Sequence, residues 1–301
     1  MTSKEISIKG NDKLHINTFT FDMLVKNAAI VMIAKRGSGK SWVVRALLQF
    51  FKDIPVGLII SPTDKLSKFY STFIPESYIH YQYKSEIIKS VMARQTEIKR
   101  KFYEKKEQGK KLDPRAYIVM DDCLGQKGSW MRDEAIMELL FNGRHYELMY
   151  VLTMQFPLGI TPELRSNFDY VFLLADDIIS NQKRMYDHYA GIFPTFDSFR
   201  QIFTQLTADF GSMVVVNRGC KGSIFEKVFY YKSPDLENIS VKMGCKQFQS
   251  YHKNNFNRDW QKKATEFNIN DFIAQKKRDK SAIVVDKTEP KKSKKSSIHS
   301  F

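Results

Sequence analysis

The sequence predicts an α/β fold in which helices flank a mostly parallel central sheet. Short apolar segments of strand length alternate with amphipathic helical stretches, as in sheets that are covered on both faces. A glycine-rich string follows the first of these apolar segments, and an acidic pair follows a later one. Both strings are typical of a phosphate site at the edge of such a sheet, so the fold class that we predict is a P-loop NTPase.

The periodicity of apolar residues places the elements along the chain. The predicted strands are Ala28–Ala34, Val56–Ile60, Tyr78–Tyr83, Tyr117–Met120, Leu148–Met154 and Tyr170–Leu174, followed by a closing pair, Met213–Val216 and Phe225–Tyr231, that is expected to be antiparallel. The predicted helices are Ser41–Phe51, Lys84–Lys111, Met131–Phe141, Ser180–Tyr189 and Phe196–Thr204, with a short helix within Asn254–Asp271. The long helix is expected to bury a stripe formed by Ile87, Val91, Ile98 and Phe102.

The 301 residues are enough for one large α/β domain or two small ones, and the C-terminal end is basic. We expect residues 1–235 to form the P-loop domain, residues 236–270 a C-terminal extension and residues 271–301 a disordered basic tail. The net charge is +15, and the first 270 residues without the tail still carry +10. Such a charge favours a polyanionic partner such as DNA or RNA, but by itself it also fits a membrane surface or a merely soluble basic protein.

The location of the protein follows from what its sequence lacks. The apolar runs are too short to cross a bilayer, and the first residues have no apolar core of a secretory signal. The three cysteines, Cys123, Cys220 and Cys245, have neither disulfide nor zinc spacing. We therefore expect an intracellular protein with reduced thiols.

The phosphate site is predicted between the first strand and the first helix. Gly37 and Gly39 let backbone N–H groups curl around phosphate oxygens, and Lys40 supplies a positive charge to the β- and γ-phosphates of ATP. The Ser41 hydroxyl is a ligand for Mg²⁺. The string departs from the usual pattern only at its first position, where alanine stands for glycine. Its residues are Ala34, Lys35, Arg36, Gly37, Ser38, Gly39, Lys40 and Ser41.

Two acids complete the predicted site. Asp121 and Asp122 end an apolar strand, which delivers their carboxylates to the sheet edge beside the phosphate loop. Asp121 is predicted to hold Mg²⁺, and Asp122 to polarise the attacking water. Aspartates that merely cap a turn at the end of a strand are the alternative.

Gln155 ends another apolar strand, Leu148–Met154. The carboxyl ends of parallel strands face the ligand crevice, so its amide is predicted to sense the γ-phosphate or the attacking water. A glutamine that simply leaves the strand into a turn at Pro157 is the alternative.

Four strings in one order carry a family resemblance: AKRGSGKS, IVMDDC, NGRH with the strand ending in TMQ, and PELRSNFDYVFLL. Together they resemble the genome-packaging ATPases of nucleocytoplasmic large DNA viruses, in the HerA/FtsK superfamily of DNA motors. The resemblance spans roughly residues 28–216. It implies a homo-oligomeric ring that moves double-stranded DNA, contacts a capsid or procapsid portal, and works in the host cytoplasm or viral factory, with the nucleus and the virion as further locations.

The resemblance also implies an arginine that acts on the neighbouring subunit's nucleotide. Arg144 occupies the matching position just before the sensor strand, and Arg165 is the reserve candidate. A surface salt bridge at a helix end is the alternative interpretation of Arg144. The resemblance leaves one departure, because Asp122 stands where many members of the superfamily have the longer glutamate.

The function predicted from these features is ATP-driven translocation of double-stranded DNA that packages a viral genome. A helicase or segregation pump on the same core is one alternative. A nucleotide-gated DNA-binding scaffold that hydrolyses little ATP is another. The basic side chains of the long helix are interleaved with glutamates, which favours a solvated surface over a DNA site. The tail lysines are predicted to contact phosphates without regard to base sequence, and a nuclear-import patch is the alternative interpretation; they are Lys291, Lys292, Lys294 and Lys295.

Overall fold

The structure is a computed structural model, and it describes residues 2–7, 13–123, 132–219, 222–236, 242–257 and 259. The chain divides into two compact units, Met1–Phe256 and Asn257–Phe301, and nearly all described residues belong to the first. The predicted boundaries near residues 235 and 270 stay predictions, and the predicted disordered tail lies outside the described residues.

The described residues form ten strands and nine helices. The strands are β1 (Ser3–Ser7), β2 (Lys13–Asn17), β3 (Ala29–Ile33), β4 (Val56–Ile60), β5 (Ile79–His80), β6 (Ala116–Asp121), β7 (Leu148–Met154), β8 (Tyr170–Leu174), β9 (Gly211–Val216) and β10 (Val228–Lys232). The helices are α1 (Lys40–Phe50), α2 (Asp64–Ser67), α3 (Ser85–Glu107), α4 (Glu134–Asn142), α5 (Pro162–Arg165), α6 (Ile179–Tyr189), α7 (Phe196–Leu206), α8 (Ile224–Lys227) and α9 (Lys246–Asn255).

Eight strands form one sheet in the order β10-β9-β8-β3-β7-β6-β4-β5. The strands from β8 to β5 are parallel to one another, while β9 and β10 are antiparallel to their neighbours. The predicted mostly parallel sheet with an antiparallel closing pair is therefore confirmed. The phosphate loop leaves the sheet at β3, which lies between β7 and β8.

Both faces of the sheet are covered, and β3 shows how its sequence achieves this. Val31 and Ile33 pack into a cluster with side chains of α3, α4, α6 and α7. Ile30 and Met32 point to the opposite face, into a cluster that contains the buried side of α1. Because successive side chains of a strand point to opposite faces, a continuous apolar run is what a doubly covered strand requires.

Two predicted strands are shorter in the structure. The predicted strand Tyr78–Tyr83 pairs only at Ile79–His80, because the 3₁₀ turn Glu76–Tyr78 occupies its start. The predicted strand Phe225–Tyr231 begins instead at Val228. Its first residues form α8, which a capping box between Ser223 and Glu226 initiates.

The apolar stripe predicted for the long helix α3 is wrong in detail. Its buried side chains are Ile88, Met92 and Gln95, whereas the four predicted stripe residues are only partly buried. The Gln95 amide donates hydrogen bonds to the Pro114 and Tyr146 carbonyls, both at 2.8 Å. A buried polar side chain with two partners is stable in the core, but a hydrophobic pattern does not reveal it.

Several described elements were not predicted, among them the short helices α2 and α5, the strands β1 and β2 and the helix α9. The N-terminal strands β1 and β2 form an antiparallel hairpin that buries only Ile6 and Ile16. The polar helix α9 buries only Phe248, whose ring stacks on Tyr78 at a centroid distance of 3.8 Å. One or two buried residues give too weak a periodic signal to predict either element. Beyond the end of α9, the short helix predicted within Asn254–Asp271 falls almost wholly outside the described residues.

Candidate nucleotide-binding site

The glycine-rich segment 34–41 joins the carboxyl end of β3 to the amino end of α1. It starts on the sheet, because the Ala34 N–H donates to the Met154 carbonyl at 3.0 Å. Gly37 and Gly39 have φ angles of +82° and +93°, a left-handed backbone that residues with a Cβ rarely adopt. The two glycines therefore permit the tight turn between strand and helix.

The amino end of α1 opens directly from this turn, and no side chain caps it. The first N–H groups of a helix lack partners within the helix, and the helix dipole adds positive charge there. The Ser41 hydroxyl, on the second residue of α1, lines the same cleft. An anion such as a phosphate group is the ligand that this end of the helix favours.

Lys40 and Asp121 meet in the cleft, with Lys40 Nζ at 3.2 Å from Asp121 Oδ1. Both side chains are largely shielded, with exposed fractions of 13% and 8%. The Thr153 hydroxyl donates a hydrogen bond to the same carboxylate oxygen. The sheet register sets this contact, because Asp121 and Thr153 are paired on the neighbouring strands β6 and β7. The carboxylate is thus fixed at the sheet edge beside the phosphate loop.

Asp122 and Gln155 also meet, immediately beyond the ends of these two strands. The Gln155 Nε2 group donates to Asp122 Oδ2 at 2.6 Å. Asp122 has a left-handed φ of +53°, and its N–H lies 3.3 Å from both the carbonyl and the hydroxyl oxygen of Thr153. This turn aims the second carboxylate at Gln155, so the two polar side chains predicted from separate strands are direct partners.

These side chains border one cleft of about 940 Å³. One side is the phosphate loop with Lys40, Ser41, Asp121, Asp122 and Gln155. The rest of the wall is formed by Trp42, Thr63, Phe69, Phe210, Lys232, Ser233, Pro234 and Asp235. Within the described part of the chain, the cleft therefore gathers all the predicted nucleotide residues except Arg144, Arg165 and the buried Ser38.

Ser38 stabilises the loop from within. Its N–H and its hydroxyl both donate to the Lys35 carbonyl, at 3.2 and 2.6 Å. The Lys35 ammonium pairs with Asp177, and this pairing raises the pKa of Lys35. The loop is therefore held by a contact within it and by the ion pair between Lys35 and Asp177.

The donor atoms at the cleft fit the predicted Mg²⁺. Among the described residues, no group of three His, Cys, Asp or Glu side chains could hold a metal ion. A nucleotide-bound Mg²⁺ needs only one or two protein oxygens, because phosphates and waters supply its other ligands. The Ser41 hydroxyl and the Asp121 carboxylate are hard oxygen donors that line the same cleft.

Asp64, a fully buried carboxylate, was missed by the sequence analysis. It follows β4, and its Oδ1 accepts the Tyr70 N–H at 2.8 Å, while Oδ2 has no hydrogen-bond partner among the described residues. Burial raises the pKa of Asp64, and burial together with the nearby Asp121 and Asp64 charges raises the pKa of the Tyr70 hydroxyl. The rule that identified Asp121, an acid that directly ends an apolar strand, does not identify Asp64, because Ser61, Pro62 and Thr63 separate it from the end of β4.

We expect Asp64→Asn to change how stability depends on pH. Because the folded-state pKa of Asp64 is raised, the folded protein binds this proton more tightly than the unfolded chain. The free energy of unfolding therefore falls as pH rises from the unfolded pKa to the folded one. The variant lacks this fall, so its stability relative to wild type should be greater at pH 7 than at pH 4. Urea unfolding at both values measures this difference.

The exposed carboxylate of Asp187 provides the control for that measurement. Its partner is Lys183, one turn away on α6, and both side chains face solvent. Asp187→Asn should show no comparable gain between pH 4 and pH 7. Equal pH dependence for wild type and Asp64→Asn would contradict the burial argument.

The two candidate arginines lie away from the cleft. Arg144 is exposed in the 3₁₀ turn Gly143–Tyr146, which precedes β7. This turn lies at the amino ends of the parallel strands, whereas the phosphate loop lies at their carboxyl ends. The Arg144 carbonyl accepts from Asn27 Nδ2 at 3.3 Å. Arg165, at the end of α5, donates from Nε to the Ile160 carbonyl at 3.2 Å, and its guanidinium lies over the Tyr189 ring. Neither arginine is brought to the nucleotide residues of its own chain.

Cys123 directly follows the acidic pair and is buried, and burial raises the pKa of its thiol to about 12. Its sulfur donates to the Ile60 carbonyl at 3.4 Å. Cys123 and Cys245 are free thiols, and Cys220 lies outside the described residues. The Cys123 thiol is therefore a packed structural group, because the thiolate rather than the thiol is the reactive form.

Within the described part of the chain, no helix combines the length and the apolar character that a bilayer span requires.

The chain is similar to a poxvirus protein family and to proteins of other viruses. The family model described as Poxvirus A32 protein matches residues 16–185, a span that contains the P-loop, both acids and Gln155. An uncharacterized protein of Acanthamoeba polyphaga mimivirus is 43% identical over 249 residues, which cover 83% of this chain and 87% of the relative. An uncharacterized protein of Invertebrate iridescent virus 6 is 33% identical over 267 residues, which cover 86% of this chain and 98% of the relative.

A solved structure agrees with the fold. The genome packaging NTPase B204 from Sulfolobus turreted icosahedral virus 2, in complex with AMPPCP, aligns with a TM-score of 0.50 at 14% identity. The alignment covers 70% of this chain and 100% of that chain. At this identity the likeness concerns the fold alone.

Proposed function

The chain belongs to the poxvirus A32 protein family and is a P-loop ATPase, and from that premise we propose that it translocates double-stranded DNA to package a viral genome. The observation that carries the proposal is the meeting of Lys40, Asp121, Asp122 and Gln155 around one cleft. These residues come from the ends of three adjacent strands, β3, β6 and β7. In the proposed mechanism each of the four residues has a role in hydrolysis of the bound triphosphate.

In the proposed ATP complex, the loop 34–41 wraps the phosphates with its backbone N–H groups. Lys40 exchanges its contact with Asp121, now 3.2 Å, for the β- and γ-phosphate oxygens. Ser41 and Asp121 would hold Mg²⁺, which supplies positive charge to the transferring phosphoryl group. Thr153 keeps the Asp121 carboxylate in place when Lys40 leaves it.

Asp122 and Gln155 are proposed to act as a pair on the attacking water. Asp122 accepts a hydrogen bond from that water and orients it toward the γ-phosphorus. Gln155 is in hydrogen-bond contact with Asp122, so a water or γ-phosphate that takes this contact changes the position of both side chains. Their contact gives strand β7 a direct way to respond to the state of the nucleotide.

The motor is proposed to work as a homo-oligomeric ring. Arg144 lies at the amino ends of the parallel strands and the phosphate loop lies at their carboxyl ends. One subunit could therefore present Arg144 to one neighbour and its phosphate loop to another. An arginine from the neighbouring subunit would neutralise charge on the γ-phosphate as it is transferred. Contact with a capsid or procapsid portal, and action in the host cytoplasm or viral factory, belong to the same proposal.

The proposed substrate is DNA because of the charge of the chain, +15 in total. The glutamates of α3 already pair with its basic residues, since Glu97 contacts Arg100 and Lys101, and Glu104 contacts Arg100. This pairing supports the interpretation of α3 as a solvated surface. Basic residues elsewhere in the sequence, including the C-terminal lysines, are proposed to contact the phosphates.

If duplex DNA is the substrate, we expect it to stimulate ATP hydrolysis regardless of base sequence. Affinity should fall steeply with salt, with a log–log slope of about −0.9 for each phosphate contacted. Removing residues 276–301 should weaken binding and flatten this slope without stopping basal turnover. Fluorescence anisotropy with labelled duplexes at several salt concentrations measures both quantities. Affinity that ignores salt, or that requires one base sequence, would contradict the proposal.

The function itself is tested by movement on DNA. A packaging motor should displace a third strand from an intact duplex when ATP is present, without opening the duplex. Unwinding of a forked duplex would favour a helicase instead. DNA binding that depends on nucleotide but brings little hydrolysis would favour the nucleotide-gated scaffold.

A further inference from the structure

The wall of the cleft beyond the phosphate loop carries two exposed aromatic side chains, Trp42 and Phe210. Phe210 exposes 66% of its surface and Trp42 exposes 38%. Large aromatic side chains are usually buried, so two at the mouth of one cleft call for an explanation. The phosphate chemistry described above uses neither of them.

The backbone around Phe210 is held in an unfavourable conformation. Asp209 and Phe210 have φ angles of +52° and +61°, a left-handed region that a bulky residue seldom occupies. The backbone is tightly packed at the next residue, because a Cβ on Gly211 would lie 2.2 Å from the Leu206 carbonyl oxygen. Strained residues of this kind persist where the surrounding structure fixes them, and they are frequent at ligand sites.

Phe210 lies directly against the phosphate loop. A Cβ on Gly39 would be 3.5 Å from Phe210 Cδ1 and 3.6 Å from its Cβ. Gly39 is the residue from which α1 begins, so the exposed ring lies beside the junction of the phosphate loop and α1.

A polar strip, residues 232–235, completes this wall of the cleft. The Ser233 hydroxyl donates to the Trp42 carbonyl at 3.1 Å, which ties the strip to α1. Lys232 and Asp235, the first and last residues of the strip, are exposed. The wall thus combines a flat aromatic surface with charged and polar groups, the combination that a planar heterocycle with a polar edge requires.

We propose that Phe210 is the platform on which the base of the bound nucleotide stacks, with the polar strip facing the edge of the base. This inference rests on the proposed nucleotide site. Stacking on an aromatic ring tolerates any base, because every base has a π face. Phe210 therefore contributes affinity for nucleotides in general, and choice among bases falls to the polar strip.

Phe210→Gly tests the platform without disturbing the loop. Glycine adopts a positive φ readily, so the variant should fold at least as stably as wild type. Its affinity for Mg·ATP should fall on the order of tenfold or more, while its affinity for inorganic tripolyphosphate should not change. Phe210→Tyr, which keeps the aromatic ring, should bind ATP as wild type does. Isothermal titration calorimetry on the full chain gives both affinities.

The control is Phe141→Ala, which removes an exposed phenylalanine from α4, outside the cleft. This variant should bind both ligands as wild type does. Unchanged ATP affinity in Phe210→Gly would overturn the proposal that Phe210 is the platform. Equal losses of ATP and tripolyphosphate affinity would overturn it too, because the segment with Phe210 would then support the phosphate site and not the base. A wild-type chain that binds neither ligand would overturn the proposed nucleotide site and the platform with it.

Discussion

Lys40→Ala is expected to abolish binding and hydrolysis of Mg·ATP while leaving the fold intact. Lys40 is the one lysine placed at the start of α1, and its ammonium already lies 3.2 Å from the proposed Mg²⁺ ligand Asp121. Without it the β- and γ-phosphates lose their positive partner in a shielded cleft. Asp121 keeps its hydrogen bond from Thr153, so the sheet edge should remain ordered. Nucleotide binding by calorimetry and steady-state ATPase rates measure the effect.

Two further variants make that result specific. Lys52→Ala removes an exposed lysine just beyond the end of α1 and should leave binding and turnover unchanged. Asp122→Asn should bind ATP but hydrolyse it poorly, since asparagine keeps the polar contact to Gln155 and loses the charge that polarises water. Equal ATPase rates for wild type and Lys40→Ala would rule out the assignment of the phosphate loop.

The side chains that meet in the candidate nucleotide site could be predicted because each follows a strong local signal in the sequence. Asp121 and Gln155 follow apolar runs, and Lys40 follows both an apolar run and a glycine-rich string. In a parallel sheet, the carboxyl ends of neighbouring strands meet at one edge. Sequence order and strand direction are then sufficient to bring these side chains together, without knowledge of any individual contact.

Asp64 and Phe210 could not be recognised by the same reasoning. The environment of Asp64 depends on Tyr70, whose N–H it accepts within a short irregular segment. The exposure of Phe210 depends on two left-handed residues and on the crowding around Gly211. These features arise from turns and close contacts, which a periodic pattern of apolar residues does not encode.

The role of Arg144 is the part of the proposal for which the fold sets a clear geometric condition. Strand β7 has seven residues between the turn of Arg144 and Gln155, so the two ends are on the order of 20 Å apart. Arg144 therefore cannot act on the nucleotide of its own subunit without a large rearrangement. Its guanidinium forms no salt bridge with any described residue, which removes support for the salt-bridge alternative in that part of the chain.

Arg115 offers a matched control, because it also lies at the amino ends of the parallel strands. It directly precedes β6, the neighbour of β7, and its guanidinium is paired with Asp53 and Asp113 at 2.6 and 2.7 Å. An arginine already engaged by two carboxylates has no charge to offer a neighbouring subunit. Arg115→Ala should therefore keep near-normal ATPase activity, even if it loses some stability.

Arg144→Ala is expected to bind ATP normally and to lose turnover by a factor on the order of 10³ or more, as other arginine fingers do. Binding is preserved because the contacts of the loop 34–41 come from the same subunit. Mixing this variant with Lys40→Ala protein should partly restore hydrolysis, since some interfaces then join an intact loop to an intact Arg144. Hydrolysis is the correct measurement, because a motor that needs every subunit in turn would not regain translocation.

If Arg144→Ala keeps near-normal DNA-stimulated turnover, Arg165 becomes the next candidate. If neither arginine matters, the ring loses its support from the sequence, and the nucleotide-gated scaffold becomes the better explanation.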